Sequence, residues 1–350
     1  MSVPVLPRLC TAASLAILAC AALTTTAFAQ QRYTAPRTEY GHPDFQGVWT
    51  NATITPFIRA EQYGERRAHT AAEAQMLEKG IADYNAAANL PSNPNDTVQD
   101  LERKGCELRG FANNANCAYN QFWADSGTHL IDINGEKRTS IIIDPPNGRL
   151  PAMLPAAQAR NAQRREMFTA AGPAAGPEAR PLGERCLMSF GSSAGPPMLP
   201  LMYNNNYQIV QNRDTVMILV EMVHDLRVIR IGGKHPPSHM RKWMGDSIGR
   251  YEGDTLVVET TNFHEQQTFQ GASENRKVIE RFTRIAPDKI LYRFTVEDPT
   301  TFERPFTGEV AMNASQGPIY EYACHEGNYA MPGVLAGARE EERAAEAKKK

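Results

Sequence analysis

Three short stretches of the chain hold the residue types that move protons. In Glu221-Met222-Val223-His224-Asp225-Leu226-Arg227 a carboxylate follows an imidazole, an arrangement that orients the ring and raises its basicity. Strand-like runs flank this stretch at 216–220 and 228–231. Side chains alternate along a strand, so Glu221 and His224 point apart, which argues against their holding one metal ion. His224, Asp225 and Arg227 are expected to gather at a hairpin tip, with His224 and Asp225 as a base pair and Arg227 as an anion stabiliser. The plainer alternative is a turn held by Asp225, with His224 in solvent.

The second stretch is Tyr320-Glu321-Tyr322-Ala323-Cys324-His325-Glu326-Gly327-Asn328-Tyr329. As a strand it places Glu321 and His325 on one face and Tyr322, Cys324 and Glu326 on the other. His325 or Glu326 then serves as the acid and Tyr322 as an orienting group; the alternative is a polar network around a structural disulfide. The third is His235-Pro236-Pro237-Ser238-His239-Met240-Arg241-Lys242-Trp243, where two prolines exclude the helix on which paired histidines would chelate a metal. A rigid loop over a barrel mouth suits it better, with His239, Arg241 and Trp243 covering a ligand; an ordinary surface loop is the alternative. Asn205, in an asparagine triplet before a strand, is expected as a further ligand contact at the mouth; capping of turns by the triplet is the alternative. Asp246, Glu259, Asn262 and His264 are expected to line a pocket at most.

Absences narrow the chemistry. The chain has no G-x-S-x-G elbow, no H-E-x-x-H, no phosphate-binding glycine loop and no G-x-G-x-x-G. Neither a cofactor nor a metal is expected, with a non-motif metal site on His224, His239, His264 or His325 as the alternative. The 37 Lys and Arg against 39 Asp and Glu leave a net charge of −2, too little positive field for a nucleic-acid partner. The expected partner is a small-molecule ligand or substrate. Oligomeric state is not legible.

The elements that must position these residues read as mainly β. Residue 70 is a helix N-cap for a helix over 71–86, with Met76, Leu77 and Ile81 as its apolar stripe. Asn134-Gly135 marks a hairpin between 128–133 and 137–144. A second helix is expected over 156–168. From residue 203, strands at 207–211, 215–223, 227–231, 249–251, 255–261, 277–284, 290–296, 302–312 and 318–324 alternate with turn signals, the pattern of an antiparallel meander closed into a barrel or sandwich. The barrel mouth is then the expected site.

The first 29 residues read as a signal peptide: a short basic start through Arg8, an apolar core over 11–23 and Ala27-Phe28-Ala29 as the cleavage site. That core is shorter than the ~20 residues of a membrane span, and no other run approaches one, so no transmembrane segment is expected. Lipid anchoring at Cys20 is the less favoured alternative, because Leu18 is bulky. A periplasmic or secreted chain then keeps four cysteines, Cys106, Cys117, Cys186 and Cys324, which allow three pairings; proximity favours Cys106 with Cys117, leaving Cys186 with Cys324. Residues 30–332 read as one β-rich domain with helical and loop insertions at 70–121 and 152–200, and 333–350 as a charged C-terminal helix.

Gly47-Val48-Trp49 in the first strand resembles the start of lipocalin-like barrels, in which the tryptophan closes one end. The blocks at 44–49, 139–151, 203–211, 221–227, 243–263, 280–299 and 319–329 resemble an uncharacterised family of secreted bacterial proteins. That resemblance implies export and a shared fold and carries no reaction. The reading as a whole is a lipocalin-like barrel or sandwich with a few helical insertions. Its function is an exported enzyme doing cofactor-free acid–base chemistry of lyase, hydratase, isomerase or hydrolase type on a small apolar or aromatic molecule. A non-catalytic periplasmic binding protein is the alternative.

Overall fold

Period-two alternation from residue 206 onward buries one face of each strand, and such strands need a partner for that face. The computed structural model, which describes residues 33–89, 95, 97, 100 and 124–349, satisfies this with a closed barrel. In chain order the strands are β1 (Gly47–Thr50), β2 (Asp132–Ile133), β3 (Glu136–Lys137), β4 (Ile142–Asp144), β5 (Asn206–Gln211), β6 (Thr215–Val220), β7 (Leu226–Ile231), β8 (Asp246–Glu252), β9 (Thr255–Thr261), β10 (Lys277–Ala286), β11 (Lys289–Glu297) and β12 (Phe306–Ala314). β1 pairs with β5, each strand from β5 to β12 pairs with the next, and β12 returns to β1. The fold is therefore mainly β, a nine-stranded barrel with no open edge.

All neighbours around the ring are antiparallel except β7 and β8, which are parallel. A parallel pair needs a crossover, and residues 232–245 provide it. β12 is saturated on both sides: β11 covers one edge, while β4 and β1 share the other. This is why the strand expected at 318–324 does not form. The chain leaves β12 through a single bond from Ser315 N to Val48 O and continues as an irregular strap.

β2 and β3 form a hairpin at the expected turn, with Asn134 and Gly135 both at positive φ (55° and 83°), but it is two residues long on each side; the end of the strand expected over 137–144 is β4, which pairs with β12 instead. Three α-helices lie among the described residues: α1 (Ala71–Ala88), α2 (Pro155–Ala171) and α3 (Ala330–Ala347). Thr70 and Glu73 close a capping box on α1. The apolar stripe expected there is not buried; Met76 and Leu77 are exposed, and the helix docks through Ala74 and through Glu78, which accepts from Lys137 Nζ at 2.9 Å. Barrel and insertions belong to one compact unit, Thr34–Lys350. No described helix is long and apolar enough to cross a membrane.

The barrel is packed, not hollow. Tyr207, Ile209, Ile218, Val258, Phe282, Tyr292, Phe294 and Met312 fill it. At the end where β1 begins, Trp49 Nε1 donates to Phe45 O (2.9 Å), and the Arg284 guanidinium lies 5.3 Å from the Trp49 ring. At the other end residues 189–201 form a stopper. Ser193, Ala194 and Met198 are fully buried; Met198 N donates to Tyr292 Oη (2.9 Å) and Tyr207 Oη donates to Ser193 O (2.9 Å). Gly195 lets the stopper turn, because a Cβ there would lie 2.3 Å from the Pro197 backbone. The mouth expected to hold ligand is thus occupied by the chain itself.

Candidate functional site

The turn between β6 and β7 is strained. Val223 (φ 61°) and His224 (φ 46°) are consecutive non-glycine residues in the left-handed region, at a cost of order 1–2 kcal/mol each. Buried Met222 and Val223, with hydrogen bonds from Val220 N to Asp225 O (2.8 Å) and from Glu221 N to Asn206 O (3.0 Å), hold it. The turn, and not the strand alternation expected for 215–223, directs Glu221 and His224 apart: β6 ends at Val220, His224 projects into solvent, and Glu221, only 3% exposed, faces a cavity beside the stopper.

That cavity, of about 1090 Å³, is walled on one side by Cys186 and Phe190 of the stopper region and on the other by the strap. Three ties position the strap. The Cys186–Cys324 disulfide joins the two walls. Asn328 Nδ2 donates to Glu184 O (2.7 Å), and Tyr320 N donates to Glu221 Oε1 (3.2 Å). Asn206 Nδ2 donates to the other Glu221 oxygen (2.8 Å). Asp125 completes the acidic floor; it is open to water over much of its surface, yet burial, and then the Glu221 charge, raise its carboxyl pKa. Burial, and then Tyr322, push the Tyr203 phenol up to about 12, so it remains a neutral hydroxyl in the cavity wall.

The sequence-derived candidates part company here. Tyr322 lines the cavity; His325 and Glu326 are exposed in the turn after the disulfide and do not. Their shared-face logic lapses because 320–329 is no strand. Arg227 lies inside the barrel, not at the hairpin tip: Nη1 and Nη2 donate to Glu280 Oε1 (2.9 Å) and Oε2 (2.5 Å), and Tyr292 Oη donates to Glu280 Oε1 (2.8 Å). As the second residue of β7 it follows the inward alternation, so no ligand reaches it. Asn205 is fully buried and its amide is spent: Nδ2 donates to Asp125 O (2.5 Å) and Leu201 O (2.9 Å), and Oδ1 accepts from Leu201 N (2.7 Å).

His239, Arg241 and Trp243 sit on the β7–β8 crossover, away from the cavity lining. Arg241 Nη1 donates to Phe263 O and Glu274 O, both at 3.0 Å, and Trp243 packs on His264 with ring centroids 3.9 Å apart. The crossover is latched by buried Asp246, which accepts from Arg230 (2.8 and 3.0 Å) and Lys242 (2.9 Å) and meets His235 Nδ1 (3.0 Å). Burial alone would raise the Asp246 carboxyl; these partners outweigh it and hold it well below the usual range. Cys106 and Cys117, like the leader and Cys20, lie outside the described residues. No group of three or more His, Cys, Asp or Glu side chains among the described residues is placed to hold a metal ion.

Asp225 is half-buried behind the turn. Burial pushes its carboxyl up to about 6, against the lowering effects of the Ser189 N–H (3.4 Å) and of His224. The folded state therefore holds this proton more tightly than the unfolded chain, in which an aspartate titrates near 3.9. Ionisation above pH 6 costs stability, and the cost fades as pH falls toward 4. Asp225→Asn is expected to raise Tm by a few degrees at pH 8 and to leave it unchanged at pH 4. Thermal melts at both pH values check this; an effect independent of pH contradicts it.

Sequence reasoning singled out Tyr322 and both disulfide cysteines of the cavity wall but passed over Asp125, Tyr203 and Glu221 as site residues. One signal was available: Tyr207 points into the barrel, so its neighbour Asn206, the first residue of β5, must face out, where it lines the cavity. No protein-family model, no curated protein and no solved structure matches the chain.

Proposed function

We propose that this chain is an exported small-molecule-binding protein that holds its ligand between the stopper and the strap. The observation that carries this reading is the cavity of about 1090 Å³, in the size class of small-molecule sites, with a covalently tied wall while the barrel interior is filled. Aromatic Phe190, Tyr203 and Tyr322 and apolar Met331 and Val334 supply contact surface, and a few polar groups supply orientation. Export belongs to the same reading: the leader pattern and the disulfide both suit an oxidising compartment.

The test is native mass spectrometry of the mature protein after incubation with a small-molecule extract. A bound species of a few hundred daltons is expected, absent from the Cys186→Ala, Cys324→Ala protein, whose cavity wall is no longer tied. No bound species, or one retained by that variant, overturns the reading.

A second reading, acid–base catalysis in the same cavity, is favoured by one observation: two of the four carboxylates that line it stand in unequal environments, Glu221 buried and Asp125 open to water. Asp125, whose carboxyl pKa is raised by burial and then by Glu221, is suited to donate and recover a proton, and Glu221, fixed by two donors, to accept a hydrogen bond from the bound molecule. Under this reading the released molecule differs from the one bound, by isomerisation, cleavage or the gain or loss of water, and Asp125→Asn abolishes the difference while retaining binding. Release of unaltered ligand by the wild type removes this reading and leaves the first.

A further inference from the structure

We infer that the ligand of this cavity is an organic cation: an ammonium or guanidinium group carried on an apolar or aromatic body. The inference rests on the proposed binding role and adds the chemical class. Four carboxylates, Asp125, Glu184, Glu221 and Glu321, line the cavity, with Arg180 as the single cationic side chain among the described lining residues. Arg180 is already committed, at 2.6 and 2.7 Å, to Glu184. Asp125, Glu221 and Glu321 have no cationic partner among the described residues. For Glu221 this matters most. It is 97% removed from water, and its two donors, an amide and a backbone N–H, hydrogen-bond the carboxylate without neutralising it. A buried carboxylate without a counter-charge is costly, and a cation entering the cavity relieves that cost.

The rest of the wall fits the same ligand. Half-buried Tyr203 and Tyr322 line the cavity, with the more exposed Phe190 and Tyr320 at its edge, and aromatic rings attract cations, modestly at exposed sites and more strongly where water is excluded. A bare metal ion fits less well, because these carboxylates do not converge into a coordinating group. An anionic ligand would be set beside these carboxylates with no uncommitted cationic side chain among the described lining residues to receive it. Since the whole chain carries a net charge of only −2, this negative field is local to the cavity.

The test uses three probes with one phenyl body: 2-phenylethylamine, charged at pH 7, neutral 2-phenylethanol and anionic phenylacetate, titrated calorimetrically into the full-length mature protein. The amine is expected to bind about tenfold or more tighter than the alcohol, and phenylacetate weakest. Glu221→Gln is expected to weaken the amine about tenfold and to leave the alcohol unchanged. Asp125→Asn, at a residue open to water, should shift the amine in the same direction, so the outcome does not hang on one buried substitution. Equal binding of amine and alcohol, tighter binding of phenylacetate, or an amine affinity unmoved by both substitutions overturns the charge assignment while leaving the binding role standing. Failure of all three probes to bind overturns this ligand class, and binding undiminished in the Cys186→Ala, Cys324→Ala protein overturns the binding role as well.

Discussion

Arg227→Leu is expected to lower the unfolding free energy by about 3–5 kcal/mol, because it leaves the Glu280 carboxylate uncompensated inside a sealed barrel. Both partners are at most 1% exposed, and the stopper denies them water. Glu280→Leu strands the guanidinium in the same way and should cost a similar amount. Against a typical total of about 5–15 kcal/mol, either change brings the fold close to its limit. The double change Arg227→Leu with Glu280→Leu should cost less than either single change, since no charge is then stranded. It should not recover fully: Tyr292 Oη loses its acceptor at Glu280, and an unsatisfied buried hydroxyl costs about 1–3 kcal/mol. Urea denaturation of the three variants measures these differences. Single-variant losses under about 1 kcal/mol, or a double variant worse than both singles, would show that the pair is not buried as described.

Removing the disulfide by Cys186→Ala with Cys324→Ala is the second large effect. The bond joins residues 138 positions apart, and closing a loop of that length restricts the unfolded chain enough to contribute about 5 kcal/mol in the entropic description, at the upper end of the usual 2–5 kcal/mol. The consequence is also local. Without it the strap is tied to the body near the cavity by the hydrogen bonds of Asn328 and Tyr320, both at the solvent boundary. The amide of Tyr320 should lose hydrogen-exchange protection, and ligand binding should disappear. Amides of β10 and β11 should keep their protection relative to global unfolding, since the barrel closes through β12 and β1 without the strap. Binding retained in the double-alanine protein would separate the cavity from the disulfide and contradict this account.

Local signals carried much of the fold. Period-two alternation located β5, β6, β9, β10 and β11 to within a few residues, and the Asn134-Gly135 and Thr70 signals marked a real hairpin and a real cap. What failed was non-local. Residues 318–324 have the aromatic alternation of a strand, but pairing also needs a free edge, and β12 has none. Arg227 and Glu280 are 53 residues apart and meet only because the ring brings β7 and β10 across from one another. Nothing local distinguishes that arginine from one at a hairpin tip. The filled interior was equally illegible, because the stopper carries Gly, Pro and Ser and reads as a connection; its burial follows from closure of the barrel around it. The site followed the same rule. The turn at Glu221–His224 was visible as chemistry, but which of its side chains faces the cavity depends on two left-handed residues and on a strap arriving about a hundred positions later.

The central claim, that ligand sits beneath the strap and not within the barrel, can be read directly from methionine methyl groups by NMR. Met331 lines the cavity, whereas Met198 and Met312 are fully buried in the barrel core. Titration of methyl-labelled protein with 2-phenylethylamine, or with whichever extract component binds, is expected to shift the Met331 resonance and to leave Met198 and Met312 in place. Shifts at Met198 and Met312 with Met331 unmoved would place the ligand inside the barrel and contradict the account.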